Sequence, residues 1–153
     1  MEDFIHTKAI EFAKQRIAVS YLVFAEQEGH TYFVGYYTLA NKFVCVNSSS
    51  LSKTMQKKTG KFSQYDPASD RYMISMPLIA QLGKSFNPSL PFKIEGADLL
   101  QMALERVLEI EHLIGGKTVY IECNNQPKLF DFYSATGFFP FDKRTRETND
   151  PND

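Results

Sequence analysis

Three groups of residues in this chain have types and spacings that could do chemistry. The first centres on Tyr133, which lies on a compact helix opened by Pro127 and closed by Gly137, beside Leu129, Phe130 and Phe132. A phenol with a reference pKa of about 10 is protonated at neutral pH and can donate to a departing anion. On an aromatic helix it can equally be one more residue of the apolar face. The second is a loop carrying Lys93, Ile94 and Glu95 that opens into a helix at Gly96, Ala97 and Asp98. A helix that starts directly after a loop presents unpaired N–H groups and a partial positive charge, which suits a phosphate or diphosphate. Gly96 would let such a group approach the backbone. Asp98 also reads as a helix-start residue, paired with Gln101 in a capping-box variant. The third group is Lys53, Lys57, Lys58 and Lys61, within a Ser-rich stretch from 47 to 64 that holds no acidic residue. That stretch is either a solvated helix or the basic rim of a binding site.

Common catalytic signatures are missing: there is no GxxxxGKS/T loop, GxSxG elbow, HExxH or CxxC. His6, His30 and His112 are scattered, and His112 suits dipole compensation near a helix C-terminus. No metal-ligand spacing occurs, so no metal is expected.

The elements that must position these groups follow from hydrophobic periodicity. Residues 4–17 place Ile5, Ala9, Phe12 and Ala13 at helical spacing. Residues 21–25 (YLVFA) form a short apolar run, Gly29 suits a hairpin turn, and 31–39 with 42–46 are dense in β-branched and aromatic residues. Gly35, inside that stretch, predicts a bulge or a close backbone approach. Ser50 or Ser52 can cap a short helix that ends at Gly60. Residues 71–86 are strand-like, and Pro77 within them points to an edge or a bulge. The clearest helix spans 97–114, with Leu100, Ala103, Leu104, Val107 and Leu108 on one face and Gly115-Gly116 as the stop. Residues 118–122 form a further β run, and 138–141 a candidate last strand.

This order predicts a mixed α/β fold: a central, mostly antiparallel twisted sheet with helices on its faces, joined by a βα crossover. One domain over 1–141 is expected, followed by a flexible charged tail at 142–153. The chain has 153 residues, 43% hydrophobic and 14% aromatic, enough to offset its ordering entropy, which excludes intrinsic disorder. Its formal charge of −1 provides no global field towards nucleic acid or membrane. No stretch approaches the roughly 18 apolar residues of a membrane span, and the acidic Met1-Glu2-Asp3 with no continuous apolar run after it argues against a secretory signal. Cys45 and Cys123 sit in apolar, β-prone runs and are expected to be buried free thiols. Together these features predict a soluble cytoplasmic protein.

The segment from 78 to 138 resembles the GNAT (Gcn5-related) N-acetyltransferase superfamily. Phe132-Tyr133-Ser134-Ala135-Thr136-Gly137-Phe138 matches the F-Y-x-x-x-G-F of its last helix. Gly35-Tyr36-Tyr37-Thr38-Leu39 is similar to the third strand of a subgroup that includes tRNA-targeting toxins. The order of elements extends the resemblance over roughly 4–141. Against the family pattern Q/R-x-x-G-x-G/A, the chain has Pro91, Ile94 and Gly96 at the three positions, after a loop about two residues longer than usual.

The resemblance implies a splayed pair of parallel strands and transfer of an acetyl group from acetyl-CoA to an amine. The pantetheine arm would pair with the backbone of Leu82, Gly83 and Lys84, and the diphosphate would meet Lys93, Ile94, Glu95, Gly96, Ala97 and Asp98. Gln126 stands where the family has a cofactor-contacting Asn. Tyr133 matches the thiolate-protonating tyrosine, and Glu122 is the nearest candidate base. The acceptor stays open between aminoacyl-tRNA, a small amine and a protein lysine, with tRNA contacted through Lys53, Lys57, Lys58 and Lys61. A homodimer also stays open. The departures at Pro91 and Ile94 motivate an alternative, a catalytically inactive GNAT-fold module that binds coenzyme A or a partner.

Overall fold

A computed structural model describes residues 4–141. The expected tail at 142–153 and the opening Met1-Glu2-Asp3 lie outside the described residues. A π-helical turn, Phe4–Lys8, runs into α1 (Ala9–Lys14). The helix expected over 4–17 stops early because Arg16 turns left-handed at φ 56°, the conformation that ends a helix.

Strands β1 (Ala18–Gln27) and β2 (His30–Asn47) form an antiparallel hairpin. Its two-residue turn, Glu28-Gly29, has φ of 52° and 76°, the left-handed pair that matches strand twist. The two β runs expected over 31–46 are one continuous strand, since Asn41 and Lys42 stay in the ladder, facing Pro77 and Met76. A 3-10 turn, Ser48–Ser50, precedes α2 (Lys53–Thr59). Ser52 caps α2 by accepting from the Met55 N–H at 3.3 Å, and Gly60 ends it, as the residues predict.

Next come β3 (Gln64–Asp66), β4 (Arg71–Lys84), α3 (Gly96–Ile114), β5 (Tyr120–Ile121) and α4 (Pro127–Ala135). The sheet order is β1-β2-β4-β3, antiparallel throughout, with β5 parallel to β4. Two expectations about the C-terminal half are corrected. The β run at 118–122 contributes only Tyr120–Ile121, and 138–141 is coil. A strand is defined by neighbours, and β5 has a described neighbour only on its β4 side.

Pro77 meets its edge expectation locally, though not for the strand as a whole. It occupies the middle strand of the sheet, between the part of β4 that pairs β3 (Arg71–Met73) and the part that pairs β5 (from Leu78). In that gap β4 has β2 on one side only, so a missing N–H costs no ladder bond. Both cysteines are exposed. Cys45 alternates with half-buried Val44 and buried Val46 on a stretch of β2 covered on one face, and Cys123 lies just past β5.

Two apolar clusters hold the layers together. Leu100, Ala103 and Val107 of α3 pack on Tyr37, Leu39 and Ile79, joined by Phe132 and Tyr133 of α4. On the opposite face Val46, Ile74, Met76, Leu78 and Tyr120 pack with Leu51 and Phe141. Residues 34–39 are buried without interruption because both faces are covered there. Gly35 is required by a close approach: a Cβ on it would lie 2.6 Å from Leu99 Cδ1 and 2.7 Å from the Gly83 carbonyl oxygen. Among the described residues no helix is long and apolar enough to cross a membrane.

Candidate active site

The site is organised by an irregularity in β4. Its register against β2 slips between Thr38–Gln81 and Leu39–Ile79, leaving Ala80 as an extra residue. A bulge bends and twists its strand. It falls where pairing with β5 stops, after Leu78–Tyr120 and Ile79–Ile121. Residues 80–84 of β4 therefore keep β2 on one side and have no described strand on the other. The Ser85 N–H donates to the Val34 oxygen at 2.8 Å, which fixes the alternation of the ladder. Gly83 turns its backbone groups towards β2, in accord with its carbonyl against Gly35. Leu82 and Lys84 turn theirs to the open edge. That edge offers N–H and C=O groups to an extended ligand in the manner of an added strand.

The loop from β4 to α3 borders a shallow, open concavity of about 400 Å³ lined by Lys84, Phe86, Pro91, Phe92, Lys93 and Ile94, among others. The Lys84 ammonium lies 5.4 Å from the centre of the Phe86 ring. Lys93 pairs with Glu95 at 2.6 Å, both side chains largely in water. The hydrogen bond to Glu95 holds the Lys93 ammonium above its ordinary pKa, and the same contact holds the Glu95 carboxyl below its own, with Lys84 adding to the effect. Asp98 Oδ2 accepts from the Glu95 N–H at 2.9 Å. The capping partner of Asp98 is thus Glu95, while Gln101 bonds Glu105 at 3.1 Å. Gly96 and Ala97 open α3, where N–H groups have no intrahelical acceptor. A Cβ on Gly96 would meet the Phe132 ring at 3.5 Å, an ordinary contact.

That contact brings the start of α3 against α4. Gln126 is the N-cap of α4, its carbonyl accepting from Leu129 and Phe130, and its side chain makes no cap bond. Pro127 takes the first helical position, and Gly137 leaves the helix at φ 93°. Tyr133 is half-buried, with its ring edge-on to Phe132 at 5.0 Å and to Phe138 at 6.0 Å. Burial raises the Tyr133 phenol above its ordinary value, and the neighbouring Cys123 adds to the rise. Glu122 is exposed and lies one residue past β5. Leu82, Lys84, Lys93, Gly96 and Tyr133 therefore gather at one end of β4 and the helices above it. The α2 lysines do not join them. Gly60, which ends α2, sits against Tyr72, about twelve residues or roughly 40 Å along β4 from Lys84.

Sequence reasoning missed a second cluster, on the α3 face of β1. Tyr21 stacks on Tyr37 at 5.0 Å and 16°, and the Arg106 guanidinium lies 5.5 Å from the Tyr21 ring centre. Arg106 also bonds Glu109 at 2.5 Å. Its contacts with Tyr37 and Glu109 keep it firmly charged. The signal was the i, i+3 spacing of Arg106 and Glu109 beneath two tyrosines that pair across β1 and β2. Among the described residues no group of three or more His, Cys, Asp or Glu could hold a metal ion.

The fold has counterparts among solved structures. AtaT complexed with acetyl-methionyl-tRNAfMet superposes with a TM-score of 0.66 at 22% identity, over 93% of this chain and 75% of that one. A tyrosine-to-phenylalanine mutant of KacT gives 0.64 at 19% identity, over 92% and 74%. AtaTR bound with acetyl-CoA gives 0.59 at 23% identity, over 92% and 73%. The chain has the GNAT fold. No protein-family model matches the sequence, and no curated protein matches it. The mixed sheet of antiparallel and parallel strands, which the order of elements and the resemblance both implied, is present, with α3 and α4 packed on one face.

Proposed function

We propose that the protein is an acetyl-CoA-dependent N-acetyltransferase whose acceptor is the amino group of an aminoacyl-tRNA. The observation that carries this reading is the conjunction of an open β4 edge at Leu82 and Lys84 with a half-buried Tyr133 on the adjoining α4. The similarity to AtaT, seen with acetyl-methionyl-tRNAfMet and with acetyl-CoA, supports it.

Acetyl-CoA supplies an acetyl group activated as a thioester. The backbone of Leu82 and Lys84 holds its amide-bearing arm in register with β4. Lys93 and the amides of Gly96 and Ala97 hold the diphosphate. Tyr133, kept protonated because burial disfavours its phenolate, donates its proton to the sulfur as the C–S bond breaks and the N–C bond forms. The proton lost by the amine goes to water or to Glu122, the exposed carboxylate at the end of β5. Lys53, Lys57, Lys58 and Lys61 give the other end of the sheet a basic surface for the phosphates of a large acceptor.

The pairing of Lys93 with Glu95 and the use of the Glu95 N–H by Asp98 favour a second reading, a GNAT-fold module without turnover. Calorimetry with acetyl-CoA and a thiol-release assay over aminoacyl-tRNAs and free amines separate the two. Turnover on aminoacyl-tRNA is the expected result; binding without turnover on any acceptor would leave the module. In the Tyr133→Phe variant turnover should fall roughly 10–10⁴-fold with the fold intact. Unchanged turnover would return Tyr133 to the apolar core.

A further inference from the structure

The anion cradle at the start of α3 is internally neutralised. Its cations are Lys84, held over the Phe86 ring, and Lys93, bonded to Glu95; its acids are Glu95 and Asp98. Asp98 is committed to the helix, because its carboxylate already accepts the Glu95 N–H at 2.9 Å. Glu95 is not. Its side chain is 54% exposed and that of Lys93 82% exposed, so their bond is weakly held and open to exchange.

We propose that the Glu95 carboxylate is a resident anion: it occupies Lys93 in the free protein, and a bound diphosphate must take Lys93 from it. Glu95 therefore sets the affinity of this site for coenzyme A and the dependence of that affinity on salt. The inference rests on the acetyl-CoA reading above. It follows from position as well as charge. Glu95 is the N-cap of α3, so its carboxylate stands at the positive end of a 19-residue helix, where the cradle would receive phosphate. With two cations against two acids, the cradle offers a dianion little net attraction until Glu95 turns away.

Binding is measured by calorimetry with coenzyme A, and with pantetheine as the arm that carries no phosphate, on the whole protein. Glu95→Gln keeps a hydrogen-bond acceptor at the cap and removes the charge. It should tighten coenzyme A roughly two- to fivefold at low ionic strength, as an exposed ion pair allows. The gain should fade towards about 0.5 M salt, and pantetheine should be unaffected. Lys93→Met should weaken coenzyme A, and in the double variant Glu95→Gln should bring no gain. A coenzyme A affinity unchanged or weakened in Glu95→Gln, while the parent binds, overturns the resident-anion proposal alone. The same holds if pantetheine gains equally, or if the gain survives in the Lys93→Met background. If neither the parent nor Glu95→Gln binds coenzyme A, the acetyl-CoA reading fails and takes this one with it.

Discussion

The two halves of β4 are built for different ends. From Arg71 to Ile79 the strand has β2 on one side and, for most of its length, β3 or β5 on the other, and its side chains enter both apolar clusters. Beyond Ala80 it keeps only β2, and no described strand lies along its far edge at Leu82 and Lys84. The first half is where burial accumulates, and the second is where a ligand can be received. A single strand serves both because one extra residue separates them.

Perturbations should sort by half. The largest effect is expected from Ile79→Ala, which empties a position only 1% exposed; about 2–5 kcal/mol of stability should be lost in denaturant unfolding. The affinity of the folded fraction for coenzyme A should be unchanged. Gly35→Ala tests the one place where the halves cannot be separated. Its methyl would press on Leu99 and on the Gly83 carbonyl, costing about 1–3 kcal/mol and weakening coenzyme A as well. If stability falls without any change in affinity, the open edge does not depend on the β2–β4 spacing.

Gly96→Glu should do the reverse. The Cβ has room beside Phe132, so unfolding should shift by no more than about 0.5 kcal/mol, while charge at the cradle lowers affinity severalfold. An unaffected dissociation constant would mean that the phosphates bind elsewhere. The smallest effect belongs to Asp70, at the far end of β4, which accepts from Ser48 at 2.6 Å and from Tyr65 at 2.7 Å. These bonds, Ser48 first, hold its pKa below the ordinary carboxylate value. Its contribution is therefore present above the unfolded pKa of about 3.9 and lost as pH falls through the lower folded value. Asp70→Asn should flatten that part of an acid melt and leave coenzyme A binding unchanged.

Local signals in the sequence were reliable where a single residue type imposes a backbone state. Gly29 in the hairpin turn, Ser52 and Gly60 around α2, Pro127 and Gly137 around α4, and the close approach at Gly35 are all found. The apolar face of α3 was legible because it repeats over several turns. What escaped depends on neighbours. Nothing about Ala80 marks it as a bulge, and reading alternation straight through it puts Gln81 on the wrong face. The length of β5 and the coil at 138–141 depend on which strands lie alongside. Cys45 and Cys123 lie in runs that read as buried, yet burial requires a covering layer that those positions lack. At the candidate site, Gly96 stood out as a loop-to-helix junction and Tyr133 through the family resemblance, whereas the Lys93–Glu95 bond and the use of Asp98 by Glu95 needed coordinates.

The extra residue at position 80 lets Ile79 and Leu82 look towards the same helix although they are three apart in the chain. A deletion of Ala80 would preserve every facing on either side of it and yield a plain, unkinked ribbon. Such a ribbon could keep docking its parallel neighbour past Ile121. The protein would then be tidier and sturdier, yet with its doorway closed, although no residue proposed to touch the ligand had been altered.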